Sequence, residues 1–153
     1  KNFAIVENAR VDFDAGLNVI TGETGAGKSI LAGALGLILG ERADKTMVRA
    51  GEDKCGVEAV FQLSDSSVFD SILEELGLDP CQQGTLVIRR IISTTGAGKN
   101  LLNDSPVTVH ALKQIGDRLV DMHGPHDHQS LLHKDEQIDL LDAYGHLWDR
   151  RAA

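Results

Sequence analysis

Residues 20–29 read ITGETGAGKS: a short apolar end, then three glycines within six residues, then a lysine and a serine. Because glycine loses more backbone entropy on folding than any other residue, a loop that only turns the chain does not need Gly22, Gly25 and Gly27 together. The apolar run that follows predicts a helix over residues 29–39. The stretch therefore predicts a strand–loop–helix unit whose loop backbone closely approaches a ligand.

The predicted ligand is a nucleoside triphosphate, because residues 22–29 fit the motif G-x-x-x-x-G-K-[ST] without a mismatch. The glycines let successive backbone N–H groups surround a phosphate at the positive end of the helix dipole. Lys28 is expected to contact the β- and γ-phosphates, and the Ser29 hydroxyl to bind Mg²⁺. The alternative is a glycine-rich turn that binds nothing. The predicted binding residues are Gly22, Glu23, Thr24, Gly25, Ala26, Gly27, Lys28, Ser29 and Ile30.

Composition restricts the remaining possibilities. The chain has 153 residues, about one domain, and its net charge of −8 creates no global field that attracts nucleic acid. Any DNA contact must therefore be local or made by parts outside this sequence. Two cysteines are too few for a disulfide framework and suit a reducing cytoplasm. The longest apolar run, residues 30–39, is too short to span a bilayer, and both ends of the chain are expected to be cut.

Hydrophobic periodicity predicts the elements around the motif. Residues 8–13 alternate as an exposed strand does, and residues 17–21 predict a more buried one. The helix over residues 29–39 is apolar all round, so it is expected to be buried on most sides and to end at Gly40. Residues 57–63 predict a further strand. An amphipathic helix follows, with Ser64 or Asp65 as its N-cap and Gly77 as its end.

The second half of the chain predicts a β-hairpin and two helices. Residues 85–93 and 99–104 form the hairpin, joined by residues 94–98. Pro106 is expected to open a helix that runs to about Arg118, before a short strand over residues 119–122. A loop over residues 123–133 precedes a last helix over residues 136–144, which ends at Gly145. The resulting class is α/β with parallel and antiparallel elements and a β-rich lobe.

Residues 94–100, TTGAGKN, repeat the letters GAGK but do not predict a second nucleotide site. Ser93 stands where the motif needs its first glycine, and Asn100 replaces the residue that binds magnesium. The segment also leads from one strand into another rather than into a helix. A hairpin turn is therefore predicted.

The chain contains a phosphate-binding loop but lacks the other motifs of an ATPase. The best local candidate for the Walker B acid is Asp121, yet only Leu119 and Val120 precede it as an apolar run. Neither the base-reading N-K-x-D motif of GTPases nor the S-G-G signature of ABC proteins is present. A self-contained small P-loop kinase or phosphotransferase remains the alternative. It would need an arginine-bearing lid and a substrate pocket, whereas residues 50–135 show hairpin and loop patterns.

A phosphate-binding loop without the other ATPase motifs is typical of one known family. Nearly the whole chain resembles the N-terminal part of the RecN family, bacterial DNA-repair proteins related to the SMC family of ABC-type ATPases. The similar segments include KNFAIVENARVDFDAGLNVITGETGAGKSIL, LGLILGERADKTMVRAG, LLNDSPVTVHALKQIGDRLVDMHGPHDHQSLL and QIDLLDAYG. In that family the head is split by a long coiled coil, and the signature and Walker B motifs lie in a C-terminal half. The resemblance implies an α/β P-loop NTPase head of the ABC/SMC type, with a mixed sheet and an antiparallel β lobe, of which this is the N-terminal half.

The resemblance also implies a domain organisation and a function. Residues 1–135 would form the head part, with the β lobe at about 57–103 and a Q-loop-like segment at 123–133, and residues 136–153 would lead toward the coiled coil. The complete protein would hydrolyse ATP with Mg²⁺ and act in double-strand-break repair and recombination, whereas this chain alone would be inactive. Its partners would be its own C-terminal head half, a second head in a homodimer, and DNA through the complete protein, with no membrane. Its location would be the bacterial cytoplasm, at the nucleoid.

Two further residues carry over from the resemblance. Arg49, in MVRAG, matches an arginine that SMC-like heads use near the nucleotide or DNA, and a solvated loop arginine is the alternative. Gln129 is the remaining glutamine of the Q-loop segment, and the resemblance implies contact with magnesium and the attacking water. The sequence departs from one common form of the family, which has glutamine where this chain has Pro125.

Two clusters have competing interpretations. His123, His126, His128 and His133, with Asp127, could bind zinc or nickel, but their spacing fits no defined site and hydrogen bonding within the loop is favoured. Arg89 and Arg90 could contact DNA phosphates. Because they point to opposite faces of a strand, at most one can do so, and solvated charges are favoured.

Overall fold

The structure, a computed structural model, describes residues 1–22, 27–122 and 144–145. The chain forms two compact units, Lys1–Leu119 and Val120–Ala153, and nearly all described residues belong to the first. In chain order its elements are α1 (Lys28–Ile38), a short 3₁₀ helix (Lys45–Met47), β1 (Lys54–Gln62), α2 (Ser67–Glu75), β2 (Thr85–Ser93), β3 (Lys99–Leu102), β4 (Ser105–Pro106) and α3 (Val109–Leu119).

The four strands form one antiparallel sheet in the order β1-β2-β3-β4. The predicted strand over residues 57–63 is confirmed as part of β1, and the predicted hairpin is confirmed as β2 and β3. The second GAGK lies at their turn, as expected. Alternation determines the faces of the sheet, because Leu86, Ile88, Arg90 and Ile92 of β2 are buried on one side.

Two hydrophobic clusters stabilise the unit. The first lies where α2 and α3 pack on the sheet, and it contains the fully buried Leu73, Leu86, Ile88, Leu102, Leu112 and Ile115. The second joins Phe3 near the N-terminus to Leu37 of α1 and Ile92 of β2. Fully burying one such aliphatic side chain is worth about 1.5–3 kcal/mol. The second cluster therefore anchors α1 to the sheet.

Helix α1 confirms the predicted helix to within one residue at each end, and Gly40 follows it with a φ of +94°. The expectation that α1 is buried on most sides is wrong for its first two turns. Only Gly36, Leu37 and Ile38 are buried. The reason is that β2 and α3 contact the C-terminal end of the helix.

The other helices begin later than predicted. Ser66, rather than Ser64 or Asp65, is the N-cap of α2, although the Asp65 carboxylate accepts a 2.9 Å hydrogen bond from the Ser67 N–H. Pro106 does not open α3, because it pairs with Leu101 in the short edge strand β4, where a missing N–H is tolerated. Helix α3 begins at Val109 instead.

The two strands predicted before the motif are absent from the described structure. Residues 8–13 and 17–21 have no strand pairing and are exposed throughout, and Leu17 is 91% exposed. A strand needs a neighbouring backbone for its N–H and C=O groups, and no described strand pairs with this segment. The short strand predicted over residues 119–122 is also wrong, since Leu119 ends α3 and residues 120–122 are irregular.

Several predictions fall on other parts of the second unit. The predicted loop over residues 123–133 lies outside the described residues, as does the last helix except for Tyr144. Tyr144 and Gly145 are both helical. The domain boundary near residue 136 stays a prediction. Among the described helices, none has the length and apolar character needed to cross a bilayer.

Candidate nucleotide-binding site

The N-terminus of α1 is an open helix end. Gly27 is its N-cap, and Gly27, Lys28 and Ser29 are all exposed. Within the described part of the chain, no side chain caps the helix and its first turn carries no acidic residue. Because the first N–H groups of a helix have no intrahelical acceptors and its dipole favours negative charge, this end is suited to an anion.

Lys28 links the two ends of the motif. Its ammonium group donates a hydrogen bond to the carbonyl oxygen of Gly22, so the first glycine and the lysine lie together at the base of the loop. Residues 23–26 (Glu23, Thr24, Gly25 and Ala26) lie outside the described residues. Ile30 is half-buried and packs against the second hydrophobic cluster. It is therefore a packing residue of the helix that carries Lys28 and Ser29.

The donor set fits a triphosphate with its magnesium ion. The Lys28 ammonium supplies positive charge, the Ser29 hydroxyl supplies an oxygen ligand of the kind that Mg²⁺ prefers, and the helix end supplies N–H donors. All three occur within one helical turn and face solvent. The residues present are thus compatible with the ligand that the motif predicts.

The opposite end of α1 is held by Arg90, for which the sequence pattern favours a solvated charge. Arg90 is only 4% exposed, and one of its terminal nitrogens donates to the carbonyl oxygens of Leu37 at 2.8 Å and Glu41 at 2.6 Å. Its Nε donates to Oδ1 of Asn100 at 3.0 Å. Burial lowers the pKa of the guanidinium below its ordinary value.

The prediction of solvated charges is therefore wrong for Arg90. A sequence signal was available, because Arg90 is two residues from Ile88 and from Ile92 and so shares their buried face. Arg89 points to the other face, as expected. It forms ion pairs with Glu58 and, at 3.1 Å, with Asp104. The hydrogen bond that Arg89 donates to Glu58, together with the negative charges of Glu58 and Asp104, raises the pKa of Arg89.

Arg49 follows the 3₁₀ helix and is partly exposed. Its guanidinium lies 3.5 Å from the carboxylate of Glu7, and its backbone N–H donates to the carbonyl of Asn2. These contacts tie the residue to the N-terminal segment. A role near the nucleotide or DNA stays a prediction.

Most of the other predicted site residues lie outside the part of the chain that the structure describes. Gln129, Pro125, Asp127 and the four histidines (His123, His126, His128 and His133) lie outside the described residues. Asp121 is exposed and follows α3 rather than a strand, unlike a Walker B acid. The described ranges hold no group of three or more potential metal-ligating His, Cys, Asp or Glu side chains.

The structure packs α1, which carries the predicted phosphate-binding motif, on an antiparallel lobe. A solved chain from a structural study of ATP-driven dimerization and DNA-stimulated activation of SMC ATPases shares this fold, with a TM-score of 0.53 and 20% identity over 85% of each chain. The chain belongs to the AAA domain family, whose sequence profile matches residues 1–145.

Curated relatives of similar sequence confirm the resemblance to the RecN family. The chain is 44% identical to DNA repair protein RecN of Halalkalibacterium halodurans over 94% of its length. It is 44% identical to the RecN of Vibrio cholerae over 95%, and 42% identical to that of Bacillus subtilis over 94%. The chain spans about a quarter of these relatives, namely 25%, 26% and 25% of their lengths.

Proposed function

We propose that this chain is the ATP-binding half of a RecN-type, SMC-like ATPase head that acts in DNA double-strand-break repair and recombination. The observation that carries this proposal is the open N-terminus of α1, with Lys28 and Ser29 exposed on it and Lys28 bonded to Gly22. The similarity to DNA repair protein RecN supports the cellular role.

In this function, each residue of the site binds or orients the nucleotide. Lys28 would hold the β- and γ-phosphates, and Ser29 would hold Mg²⁺, which neutralises charge on those phosphates when bound. The backbone of residues 22–29 would surround the phosphates. Arg49 would lie near the nucleotide or DNA, and Gln129 would orient the attacking water at the magnesium.

The exposed segment before the motif supports the view that the head is incomplete. Five large apolar side chains there face solvent, and the chain spans only about a quarter of its relatives. The remainder of the complete protein would cover them and supply the Walker B and signature motifs. The exposed side chains are Val11, Phe13, Leu17, Val19 and Ile20.

ATP-driven pairing of two heads would complete the catalytic site in the full protein. The SMC ATPase that shares this fold comes from a study of such dimerization. Because the net charge is −8, any DNA contact of this chain would be local, and DNA would bind through the complete protein. The complete protein would act in the bacterial cytoplasm at the nucleoid. ATP hydrolysis belongs to the completed head, and this chain alone is expected to be inactive.

The test is ATP affinity in the complete protein, measured by calorimetry. Lys28→Ala should abolish detectable binding, because it removes charge-assisted bonds to phosphate and leaves the buried clusters intact. Lys99→Ala is a matched control. Lys99 follows the same letters GAG and is also exposed, but it lies in β3 at a hairpin turn. Equal ATP affinity in wild type and Lys28→Ala would refute the site.

A further inference from the structure

We propose that Arg90 is a positioning residue for the phosphate site, acting through α1. Its guanidinium fixes the C-terminal end of this helix and thereby the place of Lys28 and Ser29 at the other end. This inference rests on the proposed function, since it assumes that those two residues bind a nucleotide. Arg90 itself is not expected to contact the nucleotide.

Packing alone does not account for an arginine at this position. Arg90 lies among apolar neighbours on the buried face of β2, and no carboxylate of the described residues forms an ion pair with it. Burying a charge is costly unless dipoles or counter-charges compensate, so an apolar side chain would be the simpler choice for a core. The carbonyl oxygens of Leu37 and Glu41 and the amide oxygen of Asn100 provide that compensation.

Those carbonyl groups lie at the negative end of α1. The last turn of the helix contains no basic residue of its own, so the cation that complements the dipole comes from another element. Arg90 bonds both to Leu37 inside the helix and to Glu41 beyond it. A planar guanidinium with two acceptors and a third contact at Nε has one orientation, which a lysine cannot reproduce.

Helix α3 fixes the same end of α1 by close backbone contact. A Cβ on Gly116 would lie 2.6 Å from the carbonyl oxygen of Leu39, and a Cβ on Gly40 would lie 2.6 Å from the backbone nitrogen of Lys113. Both separations are too short for a side chain. The C-terminal end of α1 is therefore held between the sheet and α3, whereas its N-terminal end faces solvent.

A helix held at one end transmits a tilt to the other. The 11 residues of α1 extend about 16 Å at about 1.5 Å per residue, so a tilt of about 5° at the anchored end moves Lys28 by about 1.4 Å. A displacement of about 1 Å can cost about 100-fold in a reaction that depends on positioning. Loss of the Arg90 contacts should therefore displace Lys28 and Ser29 and weaken phosphate binding.

The experiment compares neighbouring arginines in the complete protein. Arg90→Met removes the contacts to α1, and Arg89→Met is the matched control, since Arg89 is exposed on the opposite face and paired with Glu58 and Asp104. ATP affinity is measured by calorimetry and ATP turnover is resolved into kcat and KM, well below the Tm of each variant. Arg90→Met should weaken ATP binding at least about 10-fold and Arg89→Met less than about twofold. Arg90→Lys, which keeps the charge, should restore part of the affinity.

The outcomes separate this proposal from the proposed function. If the wild type binds ATP and folded Arg90→Met binds it equally well, with only a lower Tm, Arg90 is a stability residue and the inference is overturned. If the wild type binds no ATP, the proposed function fails as well. Should neither Arg90 variant fold, Asn100→Ala decides. Of the three Arg90 contacts it removes only the acceptor of Nε, so it should weaken ATP binding about threefold, and unchanged affinity would overturn the inference.

Discussion

Strand β2 and the segment of residues 8–21 show similar strand patterns in their sequences, but only β2 forms a strand. Strand β2 pairs with β1 on one side and β3 on the other, and its alternate residues are buried. Residues 8–21 pair with no described strand and remain exposed. The difference shows that an alternating pattern gives a segment the capacity to form a strand, while a neighbouring backbone determines whether it does so.

The largest expected effect concerns ATP hydrolysis. If residues 8–21 belong to a sheet that the rest of the protein completes, this chain alone should release no phosphate from ATP above the Lys28→Ala blank. The phosphate-binding loop supplies only part of the positioning and charge that phosphoryl transfer requires. Phosphate release is measured from the chain alone and after adding the C-terminal head half. Lys28-dependent turnover without that half would instead indicate a self-contained kinase or phosphotransferase.

Strand β2 and residues 8–21 should also differ in how much stability is lost when an apolar side chain is shortened to alanine. In the isolated chain, Ile88→Ala should lower the free energy of unfolding by about 2–5 kcal/mol, because Ile88 is fully buried in the first cluster. Leu17→Ala should change it by less than about 0.5 kcal/mol, because Leu17 is 91% exposed. Urea unfolding measures both values. A large cost for Leu17→Ala would show that the segment is already packed in the isolated chain.

A smaller effect concerns pH and the β lobe. Asp70 of α2 accepts hydrogen bonds from the Ser66 hydroxyl and the Cys81 N–H, and these bonds lower the pKa of its carboxyl below the ordinary value of 3.8. A carboxyl with a depressed folded-state pKa stabilises the fold above its unfolded pKa and loses that contribution as pH falls through the folded value. Asp70→Asn should therefore be less stable than wild type at pH 7, and the difference should shrink below about pH 4.

Urea unfolding between pH 7 and pH 3 tests this. Asp79→Asn is the control, since it removes a carboxylate from an exposed position. A stability difference between wild type and Asp70→Asn that is constant over the whole range would contradict the assignment.

Local sequence signals were sufficient to predict the elements whose packing partners are present in this chain. The pattern of apolar residues predicts β1, the hairpin and α1, since each of these elements carries its own signal within a short stretch of sequence. The prediction for Pro106 is wrong because a helix-start signal does not show that Pro106 of β4 pairs with Leu101 of β3. The strands before the motif were misassigned because sequence periodicity does not show whether a partner strand is present.

The candidate site follows the same division. Lys28 and Ser29 could be predicted because the motif is local and its helix forms where expected. The burial of Arg90 could be predicted from its place between Ile88 and Ile92, but its acceptors Leu37 and Glu41 could not, because they lie 53 and 49 residues away in sequence. A long-range contact of a strand arginine with a helix end leaves no trace in local composition.

Amide hydrogen exchange over residues 17–21 tests most directly the claim that the remainder of the protein completes this head. The isolated chain and the complete protein are compared, with the amides of β2 as an internal reference that should be protected in both. Residues 17–21 should exchange rapidly in the isolated chain, where they are exposed and unpaired with any described strand, and slowly in the complete protein. Rapid exchange in both would contradict the account, because the segment would then have no partner strand even in the whole molecule.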